Sequence, residues 1–126
     1  MENKWKNKNF FQSLKNALNG IKFVWKYGSN IKVQVVFVIL AIILGLILKI
    51  SLTEFAILVL TIFIVLICEV LNTAIEKVVD LYTLEYNEIA KIVKDVAAGA
   101  VTISAVMSVI IGIILFLPKL INFIIS

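Results

Sequence analysis

The chain has 126 residues, 62% of them hydrophobic, with 12 lysines, no arginine, 8 acidic residues and a net charge of +4; its mean hydropathy is +1.09. That length holds one domain, and that apolar content lies well above the soluble average, so lipid is the expected solvent. One cysteine, Cys68, and no histidine exclude an internal disulfide and zinc or haem ligation; a bound metal must take oxygen ligands, which points to Mg²⁺.

In chain order, the first predicted element is a surface helix over residues 9–27. Phe10, Phe11, Leu14, Ala17, Leu18, Ile21, Val24 and Trp25 recur at helical spacing, with Lys15, Asn16, Asn19, Lys22 and Lys26 on the opposite face. Aromatics at the acyl boundary and lysines toward anionic headgroups describe a helix lying on a leaflet. It is either a membrane anchor only or one wall of a lipid site. It breaks near Gly28-Ser29-Asn30.

Three apolar runs follow, at 33–50, 55–76 and 96–117, each near the roughly 20 residues that cross about 30 Å of hydrocarbon. Pro118 is expected to stop the third. Seven lysines precede the first run and Lys77, Lys91 and Lys94 lie between the second and third, whereas Lys49 and Lys119 fall on the other side. The positive-inside rule therefore predicts a multi-pass protein with its N-terminus and 77–95 loop in the cytoplasm. The first run begins too late and is too long for a signal peptide.

The second run ends in Glu69-Val-Leu-Asn72-Thr-Ala-Ile-Glu76-Lys-Val-Val-Asp80. On a helix, Glu69, Asn72, Glu76 and Asp80 step by three or four residues and line one face. An ionisable group at membrane depth costs roughly 2.5–3.5 kcal/mol on insertion scales, so such a row marks a functional site by default. The segment from Asp80 to Glu88 has the polarity of a surface loop, and a helix carrying Lys94 and Asp95 then enters the bilayer. Ala100, Ser104, Ser108 and Gly112 repeat every four residues along it, a stripe suited to close approach within one subunit or between subunits.

These groups fit phosphoryl transfer to a hydroxyl, which needs a cation bridging nucleotide phosphates, a positive side chain and a group that takes the alcohol proton. Glu76 can hold Mg²⁺, Lys94 can meet phosphate, and Glu69, about two turns deeper, can act as base on a lipid hydroxyl. As plain membrane residues, Lys77 and Lys94 would be interfacial anchors, Asn72 a helix bridge and Asp80 a solvated helix end. No Walker loop, protein-kinase loop or Gly-x-Ser-x-Gly elbow is present. A polar row near one membrane face does not make a channel.

The acidic row, together with Glu85-Tyr86-Asn87 and Ala90-Lys-Ile-Val-Lys94-Asp95-Val-Ala-Ala-Gly-Ala-Val101, resembles the prokaryotic diacylglycerol kinase family, and in particular its undecaprenol kinase branch in Gram-positive bacteria. The resemblance covers nearly the whole chain. It implies an all-α integral membrane protein, a surface helix plus three transmembrane helices forming one lipid kinase domain over 1–126, assembled as a homotrimer in the bacterial cell membrane with active sites shared between subunits. It implies ATP and Mg²⁺ as co-substrate and cofactor, a lipid alcohol (undecaprenol or diacylglycerol) as acceptor, and no nucleic-acid partner. By resemblance, Glu69 is the catalytic base and touches the lipid with Asn72. Glu76 binds metal and nucleotide, and Asp80, Glu85, Tyr86, Asn87, Lys94 and Asp95 complete the nucleotide site. The family pattern differs at four positions, where Gly28 stands for a glutamate that shares the metal, Asn16 for a tyrosine, Asn9 for a basic residue and Gln34 for histidine. Water, Glu88 or Asp80 are the available substitutes for the missing carboxylate. The alternative function is a weak or inactive kinase-like protein that binds lipid or a partner.

Overall fold

The computed structural model describes residues 4–126. Among them are four helices and no strand: α1 (Phe10–Tyr27), α2 (Ile31–Ile47), α3 (Leu52–Tyr82) and α4 (Glu88–Ile125).

α1 begins where the Asn9 side chain accepts from the Gln12 N–H at 2.8 Å, and Lys26 in its last turn complements the helix dipole. Its apolar face has almost no protein partner. Phe10, Phe11, Leu14, Leu18 and Ile21 are exposed and only Val24 is buried, as an interfacial helix requires. Residues 28–30 then bend the chain by 101° into α2. Gly28 has an ordinary φ of −67°, but its N–H donates to the Val24 carbonyl at 2.6 Å, and a Cβ there would lie 2.6 Å from that oxygen and 3.3 Å from Ile31 Cγ2. The turn closes on glycine because it leaves no room for a side chain.

α2 has 17 residues and rises about 25 Å, less than a full hydrocarbon thickness. It ends in a Schellman reversal. Lys49 takes a positive φ of 54°, its N–H reaching the Leu46 carbonyl, while the Ile50 N–H reaches that of Gly45 at 3.1 Å. Gly45 lets the Ile50 side chain fold back on the helix, since a Cβ there would meet Ile50 Cδ1 at 3.0 Å. The reversal delivers the chain to a capping box in which Ser51 and Glu54 bond each other's N–H groups and start α3.

α3, with 31 residues, and α4, with 38, are each long and apolar enough to cross a membrane; α2 contributes a third crossing only when taken with α1 across the bend. At 1.5 Å per residue they rise about 46 and 57 Å, so both overrun the bilayer. The linker between them is only residues 83–87, shorter than the polarity of the sequence suggests, because α3 runs on to Tyr82. Pro118 does not end α4, contrary to expectation; the helix continues through it to Ile125. Proline forfeits one backbone bond, a loss apolar helices tolerate, and the turn is held by Lys119, whose Nζ lies 3.2 Å from Glu54 of α3.

The core lies mainly between α3 and α4, whose buried apolar side chains are Leu58 and Val79 on α3 and Ala97, Val101 and Leu115 on α4. Within the small-residue stripe Ser104 is buried and Ala100 exposed, while Ser108 and Gly112 line an apolar cleft of about 350 Å³ with Gln34, Leu58 and Thr61. Polarity is inverted relative to a soluble bundle. The most fully buried side chains are Glu69 and Thr73, whereas Phe37, Phe63 and Ile103 face outward.

The closed turn gives a direct stability expectation. Gly28→Ala overpacks the Val24 carbonyl and is expected to destabilise the protein by about 1–3 kcal/mol; Ser29→Ala, at an exposed neighbour, is expected to leave thermal unfolding in detergent unchanged.

Candidate active site

The site is built from the inward face of α3. Glu69 is 0% exposed, yet among the described residues no lysine pairs with it. Its carboxylate accepts instead from the backbone N–H of Asn30 at 3.1 Å and from the Asn30 side-chain amide at 3.5 Å. Asn30 is the N-cap residue of α2 and makes no side-chain bond to its own helix. The helix start, with its free N–H groups and positive dipole end, is therefore turned onto the acid. Asn30 was missed in the sequence because its main contribution is a backbone N–H in a turn; the one available signal was the polar Ser29-Asn30 pair opening an apolar helix.

One turn further along α3, Asn72 donates from its amide nitrogen to Glu76 Oε1 at 3.1 Å, and the Asn72 carbonyl oxygen is buried with no partner. Thr73 returns its hydroxyl to the Glu69 carbonyl at 3.0 Å. Further on, Lys94 of α4 reaches Asp80 Oδ1 at 2.9 Å, an ion pair whose side chains are 42% and 32% exposed. The hydrogen bond from Lys94, reinforced by the charges of Lys94 and Lys77, holds the Asp80 carboxyl below its ordinary value of 3.8 despite partial burial.

The structure thus brings together Glu69 with Asn30, Asn72 with Glu76, and Asp80 with Lys94. The others stand apart. Asp95 pairs with Lys91 one turn back on α4 at 2.6 Å, both exposed, and the pair raises the Lys91 ammonium. Glu85 and Tyr86 are exposed in the linker, and Asn87 caps α4 by accepting from the Ala90 N–H at 3.0 Å. Of the substitutes for a second carboxylate, Asp80 is taken by Lys94, and Glu88 is exposed in the first turn of α4. Asn9, where the family pattern has a basic residue, serves as a helix cap.

Among the described residues no three carboxylate, cysteine or histidine groups cluster to hold a metal. A hard cation still fits beside Glu76. The Asn72 carbonyl is an unpartnered buried oxygen next to that carboxylate, and Mg²⁺ bound with a nucleotide takes one or two carboxylates plus phosphate and water oxygens.

Residues 15–116 match the family model described as prokaryotic diacylglycerol kinase. The undecaprenol kinase of Bacillus subtilis is 40% identical over 111 residues, 88% of this chain and 90% of that protein. The diacylglycerol kinase of Synechocystis is 37% identical over 90% of this chain and 66% of its own length, and that of Escherichia coli K12 is 32% identical over 76% of this chain and 79% of its own. Fold and relatives together define the class, a small membrane-embedded lipid kinase. The chain belongs to the prokaryotic diacylglycerol kinase family.

Two outcomes follow from the geometry. Asn30→Asp sets a second carboxylate against Glu69 and is expected to lower stability by about 1–3 kcal/mol, more than Asn30→Ala, with Glu69→Gln relieving the penalty in the double variant; thermal unfolding in micelles measures all four. The Asp80–Lys94 contribution is complete above pH 3.8 and is lost as pH falls through the lower folded value. The stability difference between wild type and Asp80→Asn should therefore be constant from about pH 5 to 8 and shrink as the pH falls below 3.8 in acid titrations.

Proposed function

We propose that the chain transfers the γ-phosphoryl group of ATP to the hydroxyl of a membrane-embedded lipid alcohol at the cytoplasmic face of a bacterial membrane, with undecaprenol the favoured acceptor and diacylglycerol the other. The observation that carries this reading is Glu69, a fully buried carboxylate in an apolar helix, held by two N–H donors and, among the described residues, by no cation. Such a group is poised to take a proton from a hydroxyl arriving through lipid. The lipid oxygen forms its bond to the γ-phosphorus as the bond to the β-bridging oxygen breaks, and the hydroxyl proton passes to Glu69. The preference for undecaprenol draws support from the 40% identity to the Bacillus enzyme of that name.

Asn72 sits between the lipid end and the nucleotide end of the row and orients Glu76 through its amide. Glu76, with the Asn72 carbonyl, would hold Mg²⁺, which when bound supplies positive charge against the triphosphate. Lys94, steered by Asp80, meets phosphate where α4 leaves the membrane, and Asp95 with Glu85, Tyr86 and Asn87 lies on the side from which a soluble nucleotide arrives. Residues 1–126 form one kinase domain in this reading, with the surface helix at 9–27 and spans at 33–50, 55–76 and 96–117. The small apolar core and the many outward-facing apolar side chains of α2 and α4 favour assembly as a homotrimer in the bilayer.

A second reading has one specific observation behind it. Residue 28 is glycine in place of the carboxylate of the family pattern, and the turn closes there, with a Cβ meeting the Val24 carbonyl at 2.6 Å. A protein that binds lipid without efficient transfer is the alternative.

Transfer of labelled phosphate from ATP to undecaprenol and to diacylglycerol, presented separately and in competition in detergent, separates the readings. The expected result is Mg²⁺-dependent transfer with undecaprenol preferred, reduced at least about 100-fold in Glu69→Gln. No transfer to either lipid supports the binding protein.

A further inference from the structure

We propose that Lys77 is a positioning residue that clamps the last turn of α1 onto α3 through the faces of Phe23 and Tyr27, and so holds Asn30 against Glu69. Lys77 Nζ lies 5.7 Å from the Phe23 ring centroid and 5.5 Å from that of Tyr27, and the two rings are themselves 4.6 Å apart. One ammonium thus faces two adjoining aromatic rings from another helix, within the range where the ring quadrupole attracts a cation. Among the described residues no carboxylate pairs with Lys77; Asp80, three residues on, is engaged by Lys94.

The clamp matters because little else holds α1. Its only buried side chain is Val24, on the same turn as the two rings, and the rest of its apolar face points away from the protein. From Tyr27 the chain passes through the glycine turn to Asn30, whose N–H bonds the Glu69 carboxylate. Lys77 and Glu69 belong to one rigid helix, α3. The segment from Phe23 to Asn30 is therefore fixed to that helix at both ends, by cation and rings at one and by N–H and carboxylate at the other. Releasing the first leaves α1 free to swing about residues 28–30 and loosens the second. The adjacent Glu76 lies on the same turn of α3, but Lys77 acts here through the rings and not by touching phosphate.

The kinetic consequence rests on the proposed kinase function; the structural one does not. Hydrogen–deuterium exchange of the full-length protein in lipid nanodiscs reads the amides of residues 21–31 in wild type, Lys77→Met, Lys77→Arg, the ring variant Phe23→Leu/Tyr27→Leu, and a triple variant that adds Lys77→Met to the two ring substitutions. Exchange is expected to rise about fivefold at the end of α1 and at the Asn30 amide in Lys77→Met and in the ring variant. It should be no greater in the triple variant and near wild type in Lys77→Arg, since guanidinium also stacks on aromatic faces. Unchanged exchange in Lys77→Met, or additive effects in the triple variant, overturns the clamp. With ATP and lipid varied in the transfer assay, kcat should fall about threefold to tenfold in Lys77→Met and in the ring variant while KM for ATP holds, with recovery in Lys77→Arg. A raised KM for ATP in Lys77→Met with a wild-type ring variant overturns it in favour of a phosphate contact. Loss of all transfer in wild type sinks the kinase reading alone, and the Asn30 amide still decides the clamp.

Discussion

A carboxylate sealed inside an apolar helix must find donors, and how Glu69 finds them organises the molecule. Burying an unpaired acid costs several kcal/mol. Here the compensation is the N-terminus of α2, presented by Asn30, and this requires α2 to begin at the depth of Glu69 with its first N–H groups aimed at α3. The sharp bend after α1, the glycine that lets the chain close to 2.6 Å on Val24, and the brevity of α2 all serve that placement.

Along α3 the polar groups sort by depth. Seven residues separate Glu69 from Glu76, about 10 Å of rise, and Asp80 lies about 6 Å further on. Exposure follows the same gradient: Glu69 and Asn72 are buried, Glu76 and Asp80 are nearer the open end, and the linker beyond is largely exposed. A single helix face can therefore present a base to something dissolved in lipid and charged ligands to something dissolved in water. Lys94 brings α4 to the watery end of this gradient, and the Lys119–Glu54 pair joins the same two helices near the other end, with apolar packing between.

Much of the architecture was legible in the residues. Periodicity located α1 to within a residue, and the three-four spacing of Glu69, Asn72, Glu76 and Asp80 foretold one polar face because helix geometry leaves little choice. Helix ends were less legible. Pro118 looks like a stop, yet in an apolar helix secured by the Lys119–Glu54 pair it sits mid-helix. The Schellman end of α2 uses lysine where glycine is usual, so Lys49 gave no turn signal. The bond from Asn30 to Glu69 and the aromatic face under Lys77 are hidden for a different reason, since both depend on how α1 and α2 fold back on α3, a tertiary relation that no local spacing encodes. Asp95 and Asn87 show the converse, site positions of the resemblance that within this chain are occupied by a one-turn ion pair and a helix cap.

The division of labour between Glu69 and Glu76 is the central claim. Binding of Mg-ATP to the full-length protein, measured by isothermal titration calorimetry in detergent and independent of turnover, tests it most directly. Glu69→Gln should bind the nucleotide as tightly as wild type, and Glu76→Gln at least about tenfold more weakly, as expected for a charged contact worth about 1.5–3 kcal/mol. Loss of nucleotide affinity in Glu69→Gln, or its retention in Glu76→Gln, would contradict the separation by depth.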